Sequence, residues 1–338
     1  MTRTHLAESV TSQRLVMAPP FRAALLLASI ASGIAAGFLL LPVLFRLIPN
    51  DLARIATVVD AMEHAPPPAV VIFGDSRGES AVDAAQLSRS LPGKPLAYNF
   101  CWHGQRLDHS FVLYDRLPHS VRTVINLVSL QDFSQETPGD LRIYRAMRAY
   151  GFNPDAEAMA TLETGFGRPS IASLYDSEAR IRWESRWGVR HLFDTGLRYF
   201  VRHDLMLERE RRDLFFPTAY TRRIESAAMA LAIENYAHAL PAPSVSHSKT
   251  ILMEKLGAWA KQRSCRLVLV IPAVHSRGVV DDHDRRVADV TALGRSVGIE
   301  VVDLSHVLPD DDFVDLEHTT SEGARKFTMA LAQYCGHS

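Results

Sequence analysis

The hydrophobic positions of this chain fall into three regimes. From Ala23 to Phe45 they are continuous: AALLLASIASGIAAGFLLLPVLF carries no charge over 23 positions. At about 1.5 Å per residue such a helix reaches about 34 Å, enough for a hydrocarbon core of about 30 Å. The pattern predicts a membrane-spanning helix, with Pro42 near its end, where a kink is tolerated. Helices buried in soluble cores rarely run this long without a charge. A cleaved secretory signal fits less well, because the polar stretch Met1 to Arg22 is long and Arg46, Leu47 and Ile48 stand where a small-x-small site would be.

The second regime is short apolar runs separated by helical periodicity. Val70–Phe73, Leu96–Phe100, Thr123–Leu130, Arg266–Val274 and Glu300–Leu304 read as strands. Val82–Leu91, His109–Leu117, Val287–Ser296 and Ser321–Tyr334 read as helices, the last N-capped by Thr320 or Ser321. Strands alternating with helices predict an α/β fold with a parallel sheet covered on both faces. The third regime, residues 134–263, has few β-branched runs and many helix formers and arginines, which predicts a large helical insertion. The expected organisation is a tail over 1–22, an anchor over 23–48, a linker over 49–68 and a domain over 69–338. Within the linker, Asp51 to His64 has the pattern of a short amphipathic helix, and Pro66, Pro67 and Pro68 make a stiff spacer.

Charge adds an orientation. Arg3, Arg14 and Arg22 precede the apolar run, whereas Arg46 and Arg54 follow it mixed with Asp51, Asp60 and Glu63. This bias places the N-terminus in the cytoplasm and the domain outside, as a single-pass protein of the inner membrane with a periplasmic or extracellular domain. Across the chain, 37 Lys and Arg face 38 Asp and Glu, so nothing favours a nucleic-acid partner. Three cysteines, Cys101, Cys265 and Cys335, are too few for a disulfide scaffold and lack C-x-x-C spacing; they read as buried core thiols.

Two motifs carry candidate chemistry. Gly74-Asp75-Ser76-Arg77-Gly78 directly follows the first strand, where parallel sheets place ligands and where backbone amides can face a reacting oxygen. It also reads as an ordinary turn. Asp315-Leu316-Glu317-His318 lies between the last strand and the last helix. There a carboxylate three residues before the imidazole can hold its Nδ1–H and leave Nε2 free to take a serine proton.

Together these motifs make the chain resemble the SGNH (GDSL-type) hydrolase superfamily over Ala69 to about Phe133 and Arg266 to Ser338. The resemblance implies a flavodoxin-like three-layer α/β/α sandwich. It also implies a triad of Ser76 as nucleophile, His318 as general base and acid, and Asp315 as its orienter. The oxyanion donors it implies are the backbone N–H of Ser76, Gly104 in Asn99-Phe100-Cys101-Trp102-His103-Gly104, and a residue after the third strand. The family's Gly-x-Asn-Asp pattern appears there as Ser129-Leu130-Gln131-Asp132. Gln131 is therefore either a longer-armed substitute or a sign of weak hydrolase activity; Asn126, inside the strand, is a poorer candidate. The same five residues also fit the G-x-S-x-G elbow of α/β-hydrolases, but that fold needs strands before its serine.

The architecture further resembles the membrane-anchored SGNH-like proteins that work beside membrane-bound O-acyltransferases on extracellular polysaccharides. That implies O-acetyl transfer or deacetylation of a glycan, or of a small acyl ester, with such an acyltransferase as partner. The other reading is a non-catalytic scaffold subunit of the same fold.

Other features weigh less. Arg77 reads as an acidic-group binder or as a loop brace paired with Glu79 or Asp83. Trp102 and His103 read as a sugar-stacking surface or as sheet-edge packing. Trp183 and Trp187, spaced i, i+4, with Tyr175 and Tyr199, read as helix packing or as a polymer groove. Asp281, Asp282, His283 and Asp284, followed by Arg285 and Arg286, read as a solvated loop and not as a metal site. No P-loop or dinucleotide fingerprint occurs, so no cofactor is expected.

Overall fold

The computed structural model describes residues 23–36, 53–167, 213–218, 226–235, 240 and 242–336. Helix α1 covers residues 23–36 and is exposed along its length. The rest of the apolar run lies outside the described residues, among which no helix is long and apolar enough to cross a membrane.

Five strands form one sheet: β1 (Val70–Phe73), β2 (Ala97–Asn99), β3 (Thr123–Leu127), β4 (Arg266–Ile271) and β5 (Glu300–Asp303). All neighbours are parallel, in the order β2-β1-β3-β4-β5. Each matches one predicted apolar run. Helices α2 (Ala53–His64), α3 (Ser76–Ala81), α4 (Ala84–Ser90), α5 (Leu107–Tyr114), α6 (Leu130–Ser134), α7 (Leu141–Ala149) and α8 (Ala156–Phe166) come before β4. So do α9 (Ser226–Asn235) and α10 (His247–Arg263), while α11 (His283–Val297) and α12 (Ser321–Gly336) flank β5.

Successive strand side chains point to opposite faces, and both faces are buried. Val71, Phe73, Val124, Leu267 and Leu269 pack with Ile55, Leu113, Met147, Leu162 and Leu256 of α2, α5, α7, α8 and α10. Val70, Ile72, Ile125, Val268 and Val270 pack on the other side with Leu87 of α4 and Phe327 and Leu331 of α12. The result is an α/β sandwich, with helices on each side of a parallel sheet.

Two predicted boundaries move. The segment read as a linker holds α2, whose Ile55, Val58 and Val59 lie in the core, so the domain extends N-terminal of Ala69. Arg54 at the start of α2 is buried, and its guanidinium donates to the carbonyls of Asn99 (2.6 Å), Cys101 (2.9 Å) and Asp213. At the other boundary, α10 leads directly into β4 and packs against the sheet, which makes it the crossover helix and not part of an insertion. Its length and uniform polarity pattern hid this, because Lys249 on its first turn is itself buried.

Candidate active site

The turn after β1 is built for close approach. Gly74 has φ +154°, and a Cβ there would meet Leu127 Cβ at 2.8 Å. At Gly78 a Cβ would meet Cys101 Sγ at 2.6 Å. These contacts explain the glycines on both sides of Ser76: β3 and the loop after β2 press directly on this turn. Asp75 caps α3 by accepting from Arg77 N (3.0 Å), which sets Ser76 as the first helical residue at the C-terminal end of β1.

The loop after β5 is held against that turn from several sides. Thr319 Oγ1 donates to Ser80 O (3.0 Å), and Thr328 Oγ1 on α12 donates to Ala81 O (3.2 Å) while accepting from Asp83 N (2.9 Å). Val314 N donates to His318 O (2.9 Å), closing the loop on itself. Of the two candidate caps, Thr320 caps α12 by accepting from Gly323 N (3.1 Å). Asp315 Oδ1 accepts from the backbone N–H groups of Glu317 (2.8 Å) and His318 (2.7 Å), which fixes its carboxylate under the ring.

These constraints bring together side chains 242 positions apart. Ser76 Oγ lies 2.8 Å from His318 Nε2, and His318 Nδ1 lies 2.8 Å from Asp315 Oδ2. An ionised carboxylate only accepts, so Nδ1 carries the proton and Nε2 accepts from the Ser76 hydroxyl. Burial works to lower the His318 pKa, but the hydrogen bond it donates to Asp315 and the charges of Asp315, Glu317 and Asp75 outweigh it, so the pKa lies above 6.5. For Asp315, burial works against the charge, yet the hydrogen bond and charge of His318 and the two loop amides hold it below the usual carboxylate range. Chemically, the arrangement can draw a proton from Ser76 and store it on an imidazole braced by a carboxylate.

The other predicted residues divide. The Cys101–Gln105 loop is stitched to the Ser76 turn, with Trp102 N donating to Gly74 O (3.1 Å) and Gly74 N donating to Gln105 Oε1 (2.8 Å). Gly104 lies on this loop and is exposed, as is His103. Trp102 is fully buried in the core, so packing accounts for it and the sugar-stacking expectation fails. Gln131 is exposed on α6, while Asn126 is buried and donates to Tyr114 OH (2.9 Å), which commits it to the core. Arg77 pairs with Asp75 and with Glu317 (3.6 Å), so it braces the turn against the His318 loop; its sequence-predicted partners were Glu79 and Asp83. Tyr175, Trp183, Trp187 and Tyr199 lie outside the described residues.

The stretch at Asp281–Arg286 is not a solvated loop. Asp282 pairs with Arg285 and Arg286, and His283, at the start of α11, is buried against Asp303 Oδ2 (3.1 Å) and Ser305 Oγ (2.9 Å). Among the described residues no group of three or more metal-binding side chains gathers. The three cysteines are unbridged, Cys101 and Cys265 being buried.

Sequence reasoning missed a cavity of about 270 Å³ beside the Ser76 turn, bordered by Arg77, by Ser129 to Gln131, by the segment after β4, and by His283 and Ser305. No single motif encodes it, because its walls come from loops far apart in the chain. Compared with protein-family models the chain matches none, and no curated protein matches it.

Proposed function

We propose that this protein is an SGNH-type serine acyl-ester enzyme. In this reading it is anchored in the inner membrane by the uncharged run Ala23–Phe45, with its N-terminus in the cytoplasm. Its domain would act outside the cytoplasm on a glycan or a small acyl ester. The single observation that carries the chemistry is the hydrogen-bonded series Ser76–His318–Asp315 at the C-terminal edge of the sheet. The strand order 2-1-3-4-5 is the flavodoxin-like one, which supports the family reading.

In the first half-reaction Ser76 Oγ attacks the ester carbonyl while His318 Nε2 takes the hydroxyl proton. The negative charge on the former carbonyl oxygen is held by the N–H groups of Ser76 and Gly104, with Gln131 as third donor. Collapse expels the alcohol, which receives the proton from His318, and leaves an acyl-serine. An acceptor hydroxyl then gives its proton to His318 and attacks the acyl carbon, and Ser76 is restored when His318 returns the proton. Water as acceptor makes an esterase; a sugar hydroxyl makes an O-acyltransferase, for which a membrane-bound O-acyltransferase is the natural partner. No cofactor is required by this scheme.

The test is labelling by a serine-directed fluorophosphonate. We expect label on the wild type and none on Ser76→Ala; equal labelling of both, or none on either, favours a scaffold subunit of the same fold. Supplying an activated acetyl ester with and without an oligosaccharide then separates transfer, with product on the sugar, from hydrolysis, with free acetate alone.

A further inference from the structure

The cavity beside the nucleophile turn has a consistent chemistry. Ile271, Pro272, Val274, Val279 and Val280, all contributed by β4 and the segment after it, supply apolar wall. The charged and titratable groups on its border are already engaged within the protein, and Gln131 adds only a neutral amide. Arg77 is paired with Asp75 and Glu317, and His283 Nε2 with Asp303 and Ser305. A charged ligand would find no unpaired opposite charge among these groups, whereas an alkyl chain would exchange water for apolar wall at about four-fold in binding per methylene.

Ser76 and His318 do not themselves line the cavity, but their sequence neighbours join it to them. Arg77, adjacent in sequence to Ser76, lines the cavity and reaches Glu317, adjacent to His318. The wall after β4 is fastened to the same loop, because His275 N donates to Leu316 O (3.1 Å) and Gly278 packs on that carbonyl. The cavity volume, about 270 Å³, far exceeds what a two-carbon acetyl group fills. A dry apolar cavity of about 150 Å³ already holds benzene, so this one suits a chain of about four to eight carbons.

We propose that this cavity is the acyl pocket of the enzyme and that it selects uncharged, medium-length acyl groups over acetyl. The proposal rests on the reading of Ser76 as the acyl-accepting nucleophile. It is tested with p-nitrophenyl acetate, butyrate and octanoate on the full chain, alongside fluorophosphonate labelling of Ser76. We expect butyrate or octanoate to exceed acetate in kcat/KM by at least about ten-fold. Val280→Phe, which fills the pocket, is expected to lower the octanoate-to-acetate ratio by about ten-fold or more. Val280→Ala, which enlarges it, is expected to shift the optimum to a longer chain. If Ser76 labels but acetate is the best ester, or neither variant moves the ratio, the pocket assignment is overturned and the acyl-serine reading stands. If Ser76 does not label, both are overturned.

Discussion

The molecule contains two polar clusters of opposite design. One is sealed: Lys249 and Asp108 are fully buried, and Asp132 and Tyr144 nearly so. Lys249 Nζ lies 3.3 Å from Asp108 Oδ1 and 2.9 Å from Asp132 Oδ1, and Arg106 Nε lies 2.6 Å from Asp132 Oδ1. The remaining carboxylate oxygens accept from Gly139 N (2.8 Å), Tyr144 OH (2.5 Å) and Leu107 N (2.8 Å). Two cations meet two anions there, with Lys249 inside and Arg106 closing the rim at 17% exposure, and the cluster joins α5, α6, α7 and α10. The other cluster, Ser76–His318–Asp315, is a directional series in which the His318 and Asp315 side chains keep about 16% and 22% access while Ser76, at its end, is 8% exposed. Burial with every acceptor used makes a joint. Partial access, with a hydroxyl at the end of the series, leaves an atom able to react.

Substitutions sharpen this contrast. The largest effect is expected in the directional series: Asp315→Asn should lower kcat by about ten-thousand-fold by misplacing the Nδ1 proton, with thermal unfolding little changed. In the sealed cluster the order is reversed. Lys249→Met leaves two buried carboxylates without their central cation and should cost about 3–5 kcal/mol in chemical denaturation. Burial there favours the neutral acids, but Lys249, Arg106 and their neighbours hold Asp108 and Asp132 below the usual range. That stability is present above the unfolded carboxylate value of about 3.9 and is lost as pH falls through the lower folded values.

Arg54→Met should come next, at about 2 kcal/mol, because buried carbonyls at the end of β2 lose their donor. It also loosens the Cys101–Gln105 loop, so kcat should fall with it, read by denaturation and turnover together. The smallest effect is electrostatic. His318 must be neutral to act as base, so kcat/KM should rise with pH through a midpoint above 6.5. Glu317→Gln removes one of the charges that raise His318 and should move that midpoint down; a midpoint that moves up contradicts the assignment. In stability the raised His318 contributes fully below its unfolded value, and the contribution is lost as pH rises through its folded one.

What the sequence made legible follows this division. The strands were readable because strands covered on both faces are continuous apolar runs. Ser76 was readable because it follows the end of β1, and Asp315 and His318 because they stand three positions apart on the loop between the last strand and the last helix. The sealed cluster was not, because Lys249 and Asp108 meet across 141 positions and their residue types otherwise signal surface. Arg54 was hidden likewise: one arginine after an apolar run reads as a flank and not as a clamp on backbone carbonyls. Trp102 is the reverse case, since a tryptophan beside a candidate site reads equally as a binding platform or as packing, and the core claims it. His283 lay in a charged run whose partners, Asp303 and Ser305, come from the next strand and the turn beyond it.

The most direct test is intact-mass and peptide analysis after rapid mixing with an activated acyl ester. The account predicts one acyl adduct, on the peptide containing Ser76, formed quickly by the wild type and at a rate lowered by orders of magnitude in His318→Ala. An adduct on another residue, or one that forms on Ser76 equally fast without His318, would contradict it.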